Sequence, residues 1–259
     1  MIKRLIFFLT IVIGAIPEPL MAQVQSDMKK IKGGIYVPLY GLDSSNVIVD
    51  DFYLDTYPVT NDEYRNYLLK NPSWRKTEVI QLFADQRYLN KWVNDTTFSH
   101  SFKGQSPITS ISWFAAKAYC KSQGKRLPSV DEWEYAAMAS ENEPNAQLDS
   151  VFQQFIIEGY ETPKTSLKEI GQSSPNYWGI HDLHAMVWEW TSDFNSVLIS
   201  GESRKDVDTD RKLFCAGGSV NATALMNYAA FMRYAIRGSI KANYCMENMG
   251  FRCASDIIK

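Results

Sequence analysis

Gly124-Lys125-Arg126-Leu127-Pro128-Ser129-Val130-Asp131-Glu132-Trp133-Glu134-Tyr135-Ala136-Ala137 joins the end of one helix to the start of another. Gly124 suits a helix C-terminus, where a left-handed residue closes the last turn. Ser129 and Glu132 have the spacing of a capping box, each side chain answering the other's orphan backbone N–H, and a helix to about residue 140 is predicted. Working outward, Ser112 caps a preceding helix over residues 113–123, with Trp113, Ala116 and Cys120 on one face. Thr60 and Glu63 form a second capping box for a helix to about residue 69, which Asn71-Pro72 stops. Before it, residues 33–40 and 47–54 read as short strands around a turn, and residues 23–30 as a polar start.

The remainder is less regular. Residues 74–105 scatter Trp74, Phe83, Tyr88 and Trp92 without a clear period. Residues 141–175 are polar and loop-rich, interrupted by an apolar stretch at 151–157. From Tyr177 onward the pattern predicts short aromatic strands and turns with little helix. So much ordered loop implies that ions, cofactors or disulfides help to hold it.

The chain has 259 residues, 45% hydrophobic and 13% aromatic, enough for a sizeable core. Its net charge is −2, with no long block of like charge, so nothing points to nucleic acid. Residues 1–22 read as a secretory signal peptide: Lys3 and Arg4, an apolar run over 5–16 too short to span a bilayer, and Leu20-Met21-Ala22 before a cut at Gln23. The mature chain, residues 23–259, is then one domain without a membrane span, periplasmic or secreted. Its four cysteines, Cys120, Cys215, Cys245 and Cys253, match no zinc spacing. In an oxidising compartment disulfides are the default, and three connectivities are open.

Four motifs, in this order and spacing, resemble the formylglycine-generating enzyme, or sulfatase-modifying factor, family. They are Pro58-Val59-Thr60-Asn61, the stretch over residues 124–137, Asp182-Leu183-His184-Ala185-Met186-Val187-Trp188-Glu189-Trp190, and Asn248-Met249-Gly250-Phe251-Arg252-Cys253. The resemblance covers roughly residues 30 to 255. It implies an α+β fold: the sulfatase-modifying-factor variant of the C-type-lectin-like architecture, in a single domain with low regular secondary structure. It also implies a disulfide between Cys120 and Cys253, whereas Cys215 and Cys245 have no counterpart and either pair or leave a reactive thiol. The segment over residues 228–237 resembles a branch associated with copper nitrite reductases.

The resemblance further implies Ca2+ at the 182–190 motif. Asp182 and Glu189, hard oxygen donors seven residues apart, would be side-chain ligands, with carbonyls from Ala185 and Val187. The alternative is a metal-free Glu189 capping amides between two packed tryptophans. His181 and His184, three residues apart, lack a third histidine nearby for a transition-metal site. In the family, two cysteines five residues apart bind copper and convert a substrate cysteine to formylglycine. Here those places fall at Ala224 and Ala229, and residues 216–244 contain no cysteine, so copper is not expected at the family position. Ser219, Tyr228 and Asn248 match family cleft residues. With Arg233 and Arg237 they outline a candidate cleft for a peptide or an anion; the other reading of these arginines is structural salt bridges. The expected function is an exported family member without the copper-binding pair, binding or maturing a protein partner. The alternatives are an oxidoreductase with a different metal site and a structural component of a bacterial envelope secretion or gliding complex.

Overall fold

The computed structural model describes residues 28–38, 46–100, 102–162, 167–184, 186–195 and 225–257. The fold is mixed α+β, with little regular secondary structure. Strands β1 (Met28–Ile31), β4 (Phe52–Asp55) and β7 (Ala254–Asp256) form an antiparallel sheet in the order β1-β4-β7. Strands β2 (Gly34–Tyr36) and β3 (Val47–Val49) pair antiparallel as a separate hairpin. Strands β5 (Trp188–Glu189) and β6 (Met249–Gly250) pair in parallel. The helices are α1 (Asn61–Lys70), α2 (Trp113–Ser122), α3 (Val130–Ala137), α4 (Ser150–Glu161) and α5 (Leu225–Ser239).

The predicted starts of α1, α2 and α3 are found. Thr60/Glu63 and Ser129/Glu132 each make both hydrogen bonds of the capping box, and Ser112 Oγ accepts from Ala115 N. Gly124 stands at φ 69° after α2, where an L side chain would be strained. Two expectations need correction. Residues 28–30, read as the end of a polar start, belong to β1 (Met28–Ile31): Met28 and Ile31 face inward and Lys29 and Lys30 outward, a pattern that only the pairing with β4 explains. Beyond Tyr177, where little helix is expected, α5 runs for 15 residues. The apolar stretch at 151–157 lies inside α4, which Asp149 caps.

Two large buried clusters share the interior. One gathers Tyr64, Tyr67, Tyr88, Tyr119, Trp190 and Phe251 around α1 and α2. The other places Trp133, Tyr135 and Ala136 of α3 against Ile31, Phe52 and Leu54 of the sheet. A third, smaller cluster of Ile156, Ile157 and Ala229 joins α4 to α5. Gly250 lets β6 approach the body closely, because a Cβ there would lie 2.7 Å from the Ile108 carbonyl oxygen.

Cys120 and Cys253 form a disulfide that ties α2 to the approach of β7 across 133 residues of sequence. Beside it, Lys125 Nζ donates to Asp55 Oδ1 at 2.6 Å, and Cys253 N donates to Asp55 Oδ2 at 2.9 Å. Closing so long a loop restricts the unfolded chain. Replacing both cysteines by alanine is expected to cost about 2–5 kcal/mol in urea denaturation. A loss below about 1 kcal/mol would mean that the loop is already closed by other contacts in the unfolded chain.

Candidate functional site

Two consecutive side chains of α3 organise the candidate site. Trp133 and Glu134 point in different directions from the helix, and each ends on a buried ion pair. Trp133 Nε1 donates to Glu189 Oε2 at 2.8 Å. The parallel β5–β6 pairing sets Glu189 beside Gly250, two residues before Arg252. Arg252 Nε donates to both Glu189 oxygens, at 3.0 and 2.8 Å, and Nη2 donates to Oε1 at 2.8 Å. Its other N–H groups donate to the carbonyls of Asp55, Thr56 and His181. Both side chains are fully buried, and the fork of five donors is satisfied, the condition under which an internal arginine is tolerated.

Glu134 holds the second pair. Arg233 Nε donates to both of its oxygens at 2.9 Å and Nη2 to Oε2 at 2.6 Å, while Arg237 Nη1 donates to Oε1. Burial pushes the Glu134 pKa up, but the two guanidinium groups outweigh it and hold the carboxyl at about 2. Both guanidinium groups also lie over the Trp133 ring, at 5.7 and 5.1 Å, within cation–π range. Arg233 Nη1 donates to Tyr160 Oη at 3.3 Å, and Tyr160 Oη donates to His184 Nδ1 at 3.4 Å. His184 Nε2 donates to the Ala137 carbonyl at 2.8 Å, which fixes the neutral tautomer. Burial and the nearby Arg233 hold the His184 pKa down at about 4. Between the two ion pairs, Trp133, Tyr160, Val187, Trp188, Arg237 and Met249 line a cavity with room for about one water.

The sequence-predicted residues fall into three groups. Arg233 and Arg237 meet on Glu134, both are buried, and among the described residues the cavity beside them has room for about one water. The structural salt-bridge reading is therefore the one the geometry fits. Asn248 is exposed at the turn before β6, and its carbonyl accepts from Trp188 N at 2.8 Å. Ser219, Ala224 and Ala185 lie outside the described residues; Tyr228 belongs to α5. Cys245 is a free thiol, buried, with its pKa pushed up by that burial, which makes it a poor nucleophile. Cys215 lies outside the described residues.

The two carboxylates assigned to calcium are each engaged by protein partners. Asp182, at φ 59°, accepts from Gly171 N and Ser173 Oγ, each at 2.6 Å. Glu189 is neutralised by Arg252, and Val187 lines the small cavity. Among the described residues, no group of three or more His, Cys, Asp or Glu could hold a metal ion. The buried side-chain polar atoms left without a partner there (Asn90 Oδ1, Ser110 Oγ, Trp178 Nε1 and Thr191 Oγ1) are elsewhere. In this arrangement Asp182 and Glu189 do not fit a calcium cage, because a cation would have to displace Arg252 from Glu189. A chelator is expected to leave the melting temperature unchanged within about a degree. A drop of several degrees, reversed by calcium and not by magnesium, would return the loop to the ion.

Sequence reasoning missed Glu134, Trp133 and Tyr160 as parts of the site. One signal for Glu134 was available. It sits on the apolar face of α3 that carries Val130, Trp133 and Ala137, and a carboxylate there calls for a buried cationic partner.

Comparison with known proteins agrees with this architecture. The family described as "Sulfatase-modifying factor enzyme 1-like domain" matches residues 21–257, and the chain belongs to it. It is 27% identical to the formylglycine-generating enzyme of Bos taurus over 257 residues, covering 81% of this chain and 67% of that protein. It is 28% identical to the inactive C-alpha-formylglycine-generating enzyme 2 of Bos taurus over 252 residues, covering 81% and 78%. The structure of PvdO from Pseudomonas aeruginosa matches with a TM-score of 0.50 and 18% identity, covering 89% of this chain and 94% of that one. The crystal structure of CarF matches with a TM-score of 0.51 and 15% identity, covering 90% and 98%. At such identities the two structures speak for the fold alone.

Proposed function

We propose that this chain is an exported member of its family that has lost the copper chemistry and binds, or helps to mature, a protein partner. One observation carries the first half. Ala229, at one of the two positions where the resemblance puts a copper-binding cysteine, is a buried methyl packed with Ile156 and Ile157 of α4. A methyl group offers copper no ligand. The two arginines nearby neutralise Glu134, so this part of the fold is packed as core. A relative named as inactive shares 28% of its residues with this chain over most of its length, so the fold persists in a protein described as lacking the activity.

Export is supported by the leader-like residues 1–22 and by the Cys120–Cys253 disulfide, a bond that persists in oxidising compartments. Among the described residues no helix is long and apolar enough to cross a membrane. The oxidoreductase alternative gains no donor set from the described residues.

The test incubates the mature protein with copper, oxygen and a cysteine-containing peptide of the sulfatase type. No aldehyde product is expected by mass spectrometry, and conversion of the cysteine to formylglycine would falsify the reading. Cross-linking in the native compartment tests the second half, with a reproducible protein adduct expected.

A further inference from the structure

Helix α4 is apolar on two sides. Its inner side buries Gln153, Ile156 and Ile157, the last two against Ala229 of α5. On the other side Val151 and Phe155, one turn apart, are 77% and 58% exposed, and Leu148 just before the helix is 89% exposed. A surface helix ordinarily turns a polar face outward.

The segment that carries this stripe has charge of one sign. Residues 141–161 contain Glu141, Glu143, Asp149, Glu158 and Glu161, all exposed, and neither lysine nor arginine. The whole chain is nearly balanced, with 27 basic and 29 acidic residues, so the imbalance is local. Asp149 has a structural duty, since it caps α4 by accepting from Val151 N and Phe152 N. Capping gives no such role to the other four. Because α5 backs α4, the stripe is presented on a supported helix.

We infer that this face docks a basic amphipathic helix of a partner protein, whose apolar residues cover Leu148, Val151 and Phe155 while its lysines and arginines meet the acidic rim. The inference rests on the partner-binding reading above and adds the face and the chemistry of the partner. Burial of the stripe supplies affinity, and the rim supplies orientation and the choice of sign. An anionic membrane surface has the wrong charge for this rim.

The probe is a fluorescent peptide of about five helical turns with leucine on one face and lysine on the other. Its counterpart carries glutamate in place of lysine. Anisotropy with the full mature protein should show binding of the lysine peptide and none of the glutamate peptide. Affinity should fall about tenfold for Val151→Ser/Phe155→Ser and severalfold for Glu158→Gln/Glu161→Gln, with added salt weakening the wild type most. These positions are exposed, and unchanged circular dichroism would confirm that the variants fold. Equal binding of both peptides, or an affinity untouched by Val151→Ser/Phe155→Ser, overturns the inference. So does sedimentation showing that the face pairs two copies of this chain. A native partner captured equally by wild type and Val151→Ser/Phe155→Ser removes this face and leaves the partner-binding reading standing. Failure to find any native partner sinks that reading, while the peptide measurement still judges the face.

Discussion

Arg252→Ala is expected to destabilise the fold by about 3–5 kcal/mol, the range for breaking a buried ion pair from one side. The loss has two sources. Glu189 stays buried with only the Trp133 N–H to answer its charge, and the carbonyls of Asp55, Thr56 and His181 lose their donor together. These carbonyls belong to segments far apart in the chain, so the guanidinium group joins the end of β4, the 181 loop, β5 and the run into β7. Lysine cannot substitute, because one ammonium group cannot reproduce the fork. The informative control removes both charges at once. Glu189→Gln/Arg252→Met should be less destabilised than the sum of its single variants, since the stranded charge dominates each single loss. Urea denaturation at neutral pH measures all of these. A loss for Arg252→Ala below about 1 kcal/mol would show that water or a rearranged side chain reaches Glu189, which full burial in the structure does not allow.

The parts of this fold that were legible in the sequence are those written in short-range chemistry. Thr60 with Glu63, Ser129 with Glu132, Ser112 and Gly124 each announce a helix end through an interaction spanning three residues or fewer, and each sits where it was read. What the residues alone could not supply is pairing across the chain. The spacing of four cysteines leaves three connectivities open, and the Cys120–Cys253 link followed from family resemblance. Strand β1 has no periodicity beyond Met28 and Ile31 and exists because β4 lies beside it. Helix α5 mixes aromatic and small residues in a way that hides its period, and it packs through Ala229 and the two arginines rather than through a stripe of leucines. The same limit applied to the site. Arg233, Arg237 and Glu189 were visible as chemistry, but their partners, Glu134 for the two arginines and Arg252 for Glu189, stand 99, 103 and 63 residues away in sequence. A carboxylate seen alone reads as a metal ligand; seen against Arg252 it is half of a core ion pair.

The second large effect concerns Glu134, and its signature is a pH dependence. Glu134→Gln keeps the shape and removes the charge, so two buried guanidinium groups face a neutral amide. The expected loss at neutral pH is again about 3–5 kcal/mol. In the folded wild type Arg233 and Arg237 hold the Glu134 pKa at about 2, well below its ordinary 4.5. As pH falls, the unfolded chain takes up this proton first. The stabilisation is therefore complete above about pH 4.5 and drains away between there and pH 2, amounting to about 3 kcal/mol in all. Asp55 runs the other way, because burial raises its pKa and makes protonation easier in the folded state. The wild-type acid profile mixes both, along with every surface carboxylate. The quantity to measure is the stability difference between wild type and Glu134→Gln, in which the shared groups cancel. That difference should be large and flat from pH 7 to about 5, then shrink towards pH 2, where the wild-type carboxyl is also becoming neutral. Parallel curves down to pH 2 would mean that the carboxylate is not what holds Arg233 and Arg237, and that α5 is kept in place by its contacts with α4 and Trp133 alone.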